Sequence, residues 1–292
     1  MDSQFLKHIK LSGGFGNQLF QYFFGEYLKE KYNCSISFFS EPALDINQLQ
    51  IHRFFPALRI SHNTELRPFH YSFTQQLAYR CMRKLLLLFP FLNRKVKIEN
   101  GSNYQNQSFN DTYCFDGYWQ SYRYLSAFTP SLQFEDQLIN DISADYINAI
   151  EQSEAVFLHI RRGDYLNKEN QKVFAECPLN YFENAANRIK EDIKNVHFFV
   201  FSNDIQWVKS HLKLNDNEVT FIQNEGNSCD LKDFYLMTRC KHAIISNSTF
   251  SWWAAYLINN SDKKVIAPKH WYNDISMNNA TKDLIPPTWI RL

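Results

Sequence analysis

The segment Val156-Phe157-Leu158-His159-Ile160-Arg161-Arg162-Gly163-Asp164 runs from unbroken apolar character into an imidazole, two guanidiniums, a glycine and a carboxylate. In an open α/β sheet, ligands bind in the crevice beyond the carboxyl ends of the strands. Two arginines delivered to that edge make a permanently charged, bidentate receptor for a phosphate or pyrophosphate. A solvated salt-bridge cluster is the plainer alternative; strand-end placement favours the receptor.

The chain on either side reads as alternating elements. Strands are expected at 155–160, 197–202, 218–223, 242–247 and 263–269, and helices at 178–193, 204–212, 230–240 and 249–258. Strand and helix in alternation with short connections predict a parallel sheet covered on both faces, a Rossmann-like domain. The first half opens in the same way. A strand at 7–12 leads into Gly13-Gly14-Phe15-Gly16-Asn17-Gln18, then an apolar helix over 18–31 and a strand at 35–40. Residues 41–75 settle into no single period, 100–112 form an Asn/Ser/Gln-rich loop, and 113–119 read as a strand. A helix over 136–152 is expected to bridge the halves. The expected fold is therefore α/β, two Rossmann-like domains (1–150 and 151–292) facing a central cleft, a common home for small-molecule sites.

Composition narrows the function. Of 292 residues, 45% are hydrophobic and 26 are Phe, so a large core is available and disorder is not expected. A net charge of +1 lacks the footprint of a general nucleic-acid binder, so any anion site is local. Six cysteines without C-x-x-C spacing argue against zinc and against a disulfide framework. Met1 through Lys10 lack the apolar core of a signal peptide, which predicts a cytoplasmic protein. The apolar run of residues 83–95 lies between basic flanks and is too short to span a bilayer. A buried helix end is the plain reading of it, and a peripheral membrane contact the sharper one.

Three turns could carry chemistry. Gly14-Phe15-Gly16-Asn17-Gln18-Leu19 matches a dinucleotide fingerprint at two glycines and fails at Leu19, which argues against a nicotinamide or flavin site. Its glycines still imply a sharp turn with room for an approaching group, faced by Asn17 and Gln18. Ser246-Asn247-Ser248-Thr249-Phe250-Ser251-Trp252-Trp253 follows a strand and opens a helix, so its hydroxyls and backbone N–H groups suit an anion. Ser248 and Thr249 are equally good as plain N-caps. Asn203 and Asp204 end another strand, where Asp204 could read a guanine edge or merely cap a helix. Paired carboxylates at a strand end are missing, so arginine and helix dipole, with no metal, are expected to neutralise a diphosphate.

Taken in order, Gly13-Gly14-Phe15-Gly16-Asn17-Gln18-Leu19-Phe20-Gln21, Asp116-Gly117-Tyr118-Trp119-Gln120-Ser121, His159-Ile160-Arg161-Arg162-Gly163-Asp164-Tyr165 and residues 246–253 resemble the bacterial α-1,2-fucosyltransferases. The resemblance implies a GT-B-like fold whose first domain takes the acceptor and whose second binds nucleotide sugar. It implies inverting transfer of L-fucose from GDP-β-L-fucose to the 2-OH of a terminal β-galactoside, without a metal or other cofactor. The acceptor would be a galactose-terminated oligosaccharide or lipid-linked glycan in surface-polysaccharide (O-antigen) synthesis, at the inner face of the membrane. By the same likeness Arg161 holds the β-phosphate and His159 seats the nucleotide. Ser248, Thr249 and Phe250 line the phosphate pocket with Asn247 beside them, and Asn17, next to Gly14, Gly16 and Gln18, lies near the sugar. Arg162, Asn203 and Asp204 complete the expected substrate site. For the base, Asp164 is the first choice, with Glu169, Glu225 and Asp116 as alternatives. Two competing functions stay open: a different linkage such as α-1,6, and a non-catalytic GDP-sugar-binding protein.

Overall fold

The computed structural model describes residues 6–40, 50–55, 58, 60–61, 81, 83–89, 95–99, 103–162 and 168–292. They fall into two compact units, Met1–Leu132 with Ala280–Leu284, and Gln133–Asn279 with Ile285–Leu292. In the first unit, Leu6–Leu11 (β1), Phe15–Tyr32 (α1), Ser35–Ser40 (β2), Ile60–Ser61 (β3), Val96–Ile98 (β4) and Cys114–Asp116 (β5) build an α/β layer. The strands lie in the order β3-β2-β1-β5-β4, each pair parallel. Helix α1 lays Phe20, Phe24 and Leu28 in the core, where Phe24 stacks on Trp119 at 4.2 Å. It stops at Asn33, which takes the left-handed conformation (φ 46°) that asparagine tolerates, behind Lys29 and Lys31 at the negative end of the dipole.

The second unit begins with Asp136–Asn140 (α2) and Ala144–Glu151 (α3). One helix bridging the halves was expected there; instead Ser143 leaves helical geometry and splits it. Both pieces belong to the second unit, where Phe134 meets Phe234 and Tyr235. There follow Glu154–Ile160 (β6), Lys168–Val173 (α4), Leu179–Asp192 (α5), Val196–Ser202 (β7), Ile205–His211 (α6), Val219–Phe221 (β8), Cys229–Arg239 (α7), His242–Ile244 (β9), Thr249–Leu257 (α8), Val265–Ala267 (β10), Ile275–Asn279 (α9) and Ile290–Arg291 (β11). The parallel order is β11-β10-β9-β6-β7-β8. Strand β6 is central and its residues from Ala155 to Ile160 are all buried, so it reads as a continuous apolar run. One face packs Val156, Leu158 and Ile160 against Phe182, Ala185 and Ile189 of α5. The chain winds outward through β7 and β8, then returns to β9 on the other side of β6. The order thus reverses between β6 and β9, the position where such sheets open a crevice. In the first sheet the same reversal falls between β1 and β5.

Within the run of residues 83–95, residues 83–88 are helical. Leu86 is buried, but Leu85, Leu88 and Phe89 are exposed, so a buried helix end does not describe them. Among the described residues, no helix is long and apolar enough to cross a membrane.

Candidate functional site

Register brings the second unit's motifs together. Leu158 pairs with Ile244, and Ile160 with Ser202, so the chain leaves β6, β7 and β9 at one edge with His159, Arg161, Asn203 and Ser246 adjoining. His159 Nδ1 lies 3.2 Å from Ser246 Oγ, and its ring is 5.6 Å from that of Phe250. Burial, reinforced by the Arg161 charge, pushes the imidazole down to about 3, so the ring is neutral. Phe250 rests in turn on Phe234. Ser248 takes the N-cap position of α8 in extended conformation, yet its side chain makes no capping bond. Half-buried Thr249 and Phe250 form the first turn of α8 beside His159. Trp252 and Trp253 are fully buried, packing rather than facing ligand.

Several expected ligands are occupied elsewhere. Asn247 is 1% exposed and donates Nδ2 to the carbonyls of Ala175 (2.8 Å) and Trp271 (2.9 Å). Its amide ties the strand end to two neighbouring loops. Arg162 donates its backbone N–H to Asn203 Oδ1 at 2.9 Å; its Nε lies 3.4 Å from Asp204 Oδ2, and its guanidinium lies 3.2 Å from the Trp207 ring centroid. Arg162 is thus held along α6 by Asp204 and Trp207. Asp204 sits at the N-cap of α6 without making a side-chain cap bond.

In the first unit, the turn after β1 holds Gly13 at φ +72° and Gly14 as the N-cap of α1; Gly16 is already inside the helix, which starts three residues earlier than expected. Gln18 is fully buried, donates to Gly13 O (2.9 Å) and accepts from Ile51 N (3.2 Å), which makes it a strut of the turn. Asn17 Oδ1 accepts from Gln120 Nε2 at 2.8 Å. Asp116, one of the alternative bases, is buried 3.8 Å from Lys10 and 3.4 Å from Arg83. Asp164 lies outside the described residues, as does the side chain of Glu169; Glu225 is exposed.

Two carboxyls escaped the sequence reading. Burial raises Glu99 to about 7, against the backbone N–H groups of Trp119, Tyr118 and Gln120, with Asp116 adding to the rise. Burial likewise raises Asp233 to about 7, although Asn224 Nδ2 donates to its Oδ1 at 2.7 Å. Neither belongs to a motif with a recognisable spacing. An acidic residue on an amphipathic helix (Asp233) or after a three-residue strand (Glu99) gives no local signal of burial. Among the described residues, no three His, Cys, Asp or Glu side chains gather as metal ligands.

Two parallel α/β sheets, the second with an arginine and a helix N-terminus at its switch point, make a fold of the GT-B type. Solved structures agree on the fold. The α-1,6-fucosyltransferase NodZ soaked with GDP-fucose is similar with a TM-score of 0.54 at 14% identity, over 94% of this chain and 97% of that one. The ADP-heptose heptosyltransferase II of E. coli gives 0.50 at 12% identity, over 98% and 90%. The profile of glycosyl transferase family 11 matches residues 6–292, and the chain belongs to that family. Relatives include an alpha-1,2-colitosyltransferase of Escherichia coli, 31% identical over 97% of each chain. The bovine galactoside alpha-(1,2)-fucosyltransferase 2 is 30% identical over 48% of this chain and 42% of its own. The E. coli O-antigen biosynthesis glycosyltransferase WbnK is 29% identical over 70% and 65%.

Proposed function

We propose that the protein transfers L-fucose from GDP-β-L-fucose to the 2-OH of a terminal β-galactoside, with inversion and without a metal ion. The observation that carries the reading is the meeting of Arg161 and neutral His159 with the first turn of α8 at the β6–β9 switch point. The acceptor hydroxyl attacks C1 as the C1–O bond to the diphosphate breaks, GDP leaves with the electron pair, and the hydroxyl proton passes to a base. Asp164, two residues beyond Arg162, is proposed for that role. Negative charge grows on the departing diphosphate, so donors aimed at it act more strongly in the transition state than in the ground state. Arg161 supplies the fixed charge there, and the helix end supplies dipole and N–H groups. A neutral His159 seats the nucleotide without competing for it.

The test is incubation with GDP-fucose and a panel of galactosides in EDTA, with product linkage read by NMR. An α-1,2-fucosyl galactoside is expected; a different linkage, dependence on added metal, or the absence of GDP release contradicts the proposal. The full-length similarity to a colitosyltransferase favours one second reading, in which the donor sugar is colitose, the 3-deoxy counterpart of fucose. Comparing kcat/KM for the two GDP-sugars decides between them, because a site built to bond the 3-hydroxyl rejects the deoxy sugar strongly. We place the protein at the cytoplasmic face of the membrane, on the ground that exposed Leu85, Leu88 and Phe89 adjoin Arg83 and Lys84. Co-sedimentation with anionic vesicles, lost on Leu88→Glu, is the expected result.

A further inference from the structure

The segment Asp116-Gly117-Tyr118-Trp119-Gln120 leaves β5 at the switch point of the first sheet, beside the Gly13-Gly14 turn that leaves β1. It is folded around a single carboxylate. Glu99, one residue past β4, accepts from the backbone N–H groups of Tyr118 (2.5 Å) and Trp119 (2.8 Å) through Oε2. Trp119 adopts φ +56°, a left-handed conformation unfavourable to a bulky side chain, and its ring is anchored in the core. Gly117 has no room for a side chain: a Cβ there would lie 2.3 Å from the Cβ of Glu99. The chain turns sharply where successive N–H groups converge on one carboxyl oxygen, an arrangement backbone amides favour. Gln21 ties the same turn to α1 by donating to Gly117 O at 2.9 Å.

The turn divides its side chains. Gln120 points inward, 5% exposed, and donates to Asn17; Tyr118 is 41% exposed. A Cβ on Gly13 would lie 2.5 Å from Asn17 Nδ2 and 3.1 Å from Tyr118 Cε1, so the amide and the phenol ring flank one backbone position. Gly14, next along, is exposed with nothing within 4 Å of where a Cβ would stand. An aromatic ring with a polar tip, a fixed amide and an open glycine make a surface suited to a pyranose. Its C–H face can lie on the ring while its hydroxyls reach the amide.

We propose that Glu99 is a positioning residue: by holding the 117–120 turn it sets Tyr118, and through Gln120 also Asn17, as one surface that receives a pyranose ring. This rests on the sugar-transfer reading above. The ring belongs either to the acceptor or to the transferred sugar, and the kinetic arms below distinguish the two.

The experiment compares Glu99→Ala, Glu99→Gln and Tyr118→Ala in the full chain by hydrogen exchange, GDP binding and steady-state kinetics. Losing both hydrogen bonds predicts faster exchange of the Tyr118 and Trp119 amides, and a loss of transfer, each on the order of tenfold or more in Glu99→Ala. GDP affinity stays within about twofold, since the residues assigned to the nucleotide lie in the other unit. Glu99→Gln, whose amide oxygen still accepts, restores amide protection and most of the transfer. Tyr118→Ala keeps the protection and raises one KM about tenfold, that of acceptor or of donor, naming the ring that stacks. Wild-type exchange and kinetics in Glu99→Ala overturn the proposal, as does a parallel loss of GDP affinity, which marks a merely structural residue. If the wild-type protein transfers no sugar, the reading above fails, while the exchange measurement still decides whether Glu99 holds the turn.

Discussion

His159 offers a prediction whose size follows from its surroundings. The ring is 8% exposed, bonded to Ser246 and close enough to Arg161 for that charge to add to the cost of burial. Its pKa falls from 6.5 to about 3 in the folded chain. The folded state therefore binds fewer protons than the unfolded state at any pH between those values, so stability drops as the solution is acidified. Above 6.5 both states are neutral and the group contributes nothing. Below it the loss grows at about 1.4 kcal/mol per pH unit, or about 2 kcal/mol at pH 5. Glu99 and Asp233, both raised to about 7, work in the opposite direction over the same range, so the wild-type slope alone does not isolate the histidine. The difference between wild type and His159→Gln does. Urea unfolding followed by tryptophan fluorescence suits the purpose, since five of the six tryptophans lie in the second unit. From pH 7 to pH 5, wild type should lose about 2 kcal/mol relative to the variant. Parallel slopes, or an imidazole that titrates near 6.5 by NMR, would refute the reasoning.

Other perturbations separate binding from scaffolding. Arg161→Ala should cut transfer about a hundred- to a thousandfold, about 3–4 kcal/mol, without shifting the melting temperature. Arg161→Lys should also be poor, because an ammonium lacks the planar fork; normal kcat in either variant excludes Arg161 from the phosphate site. Asn247→Asp sets a carboxylate against the carbonyls of Ala175 and Trp271, so a loss on the order of 3 kcal/mol in stability is expected by urea titration. Asp204→Ala removes a partly exposed partner of Arg162 and should change stability by less than about 1 kcal/mol; a larger drop would mean that the pair is more deeply coupled than its exposure implies.

The second sheet was legible because β6 and β7 are largely buried and carry the apolar runs 155–158 and 198–201, while α5 keeps a helical period behind Pro178. The ends of those strands were legible too, since an arginine or a hydroxyl cluster after an apolar run marks the edge of a sheet. What the pattern does not carry is the direction of a side chain after the turn. Gln18 and Asn247 are short polar groups in ligand-type motifs, yet both point inward to satisfy backbone groups that would otherwise be buried without partners. Arg162 adjoins Arg161 in a ligand-type motif, yet its guanidinium lies over the face of Trp207, 45 positions later. Glu99 was invisible for the same reason: its carboxyl and the N–H groups it gathers are about 20 residues apart and meet only once β4 and β5 pair. The break between α2 and α3 and the two-residue β11 are too short for any periodicity to register.

A structure of the protein with intact GDP-fucose, or with GDP, tests the central claim most directly. The β-phosphate should lie within hydrogen-bond reach of the Arg161 guanidinium and of the backbone N–H groups in the first turn of α8, with His159 neutral behind it. A diphosphate resting away from both would contradict the account, whatever the activity of the protein.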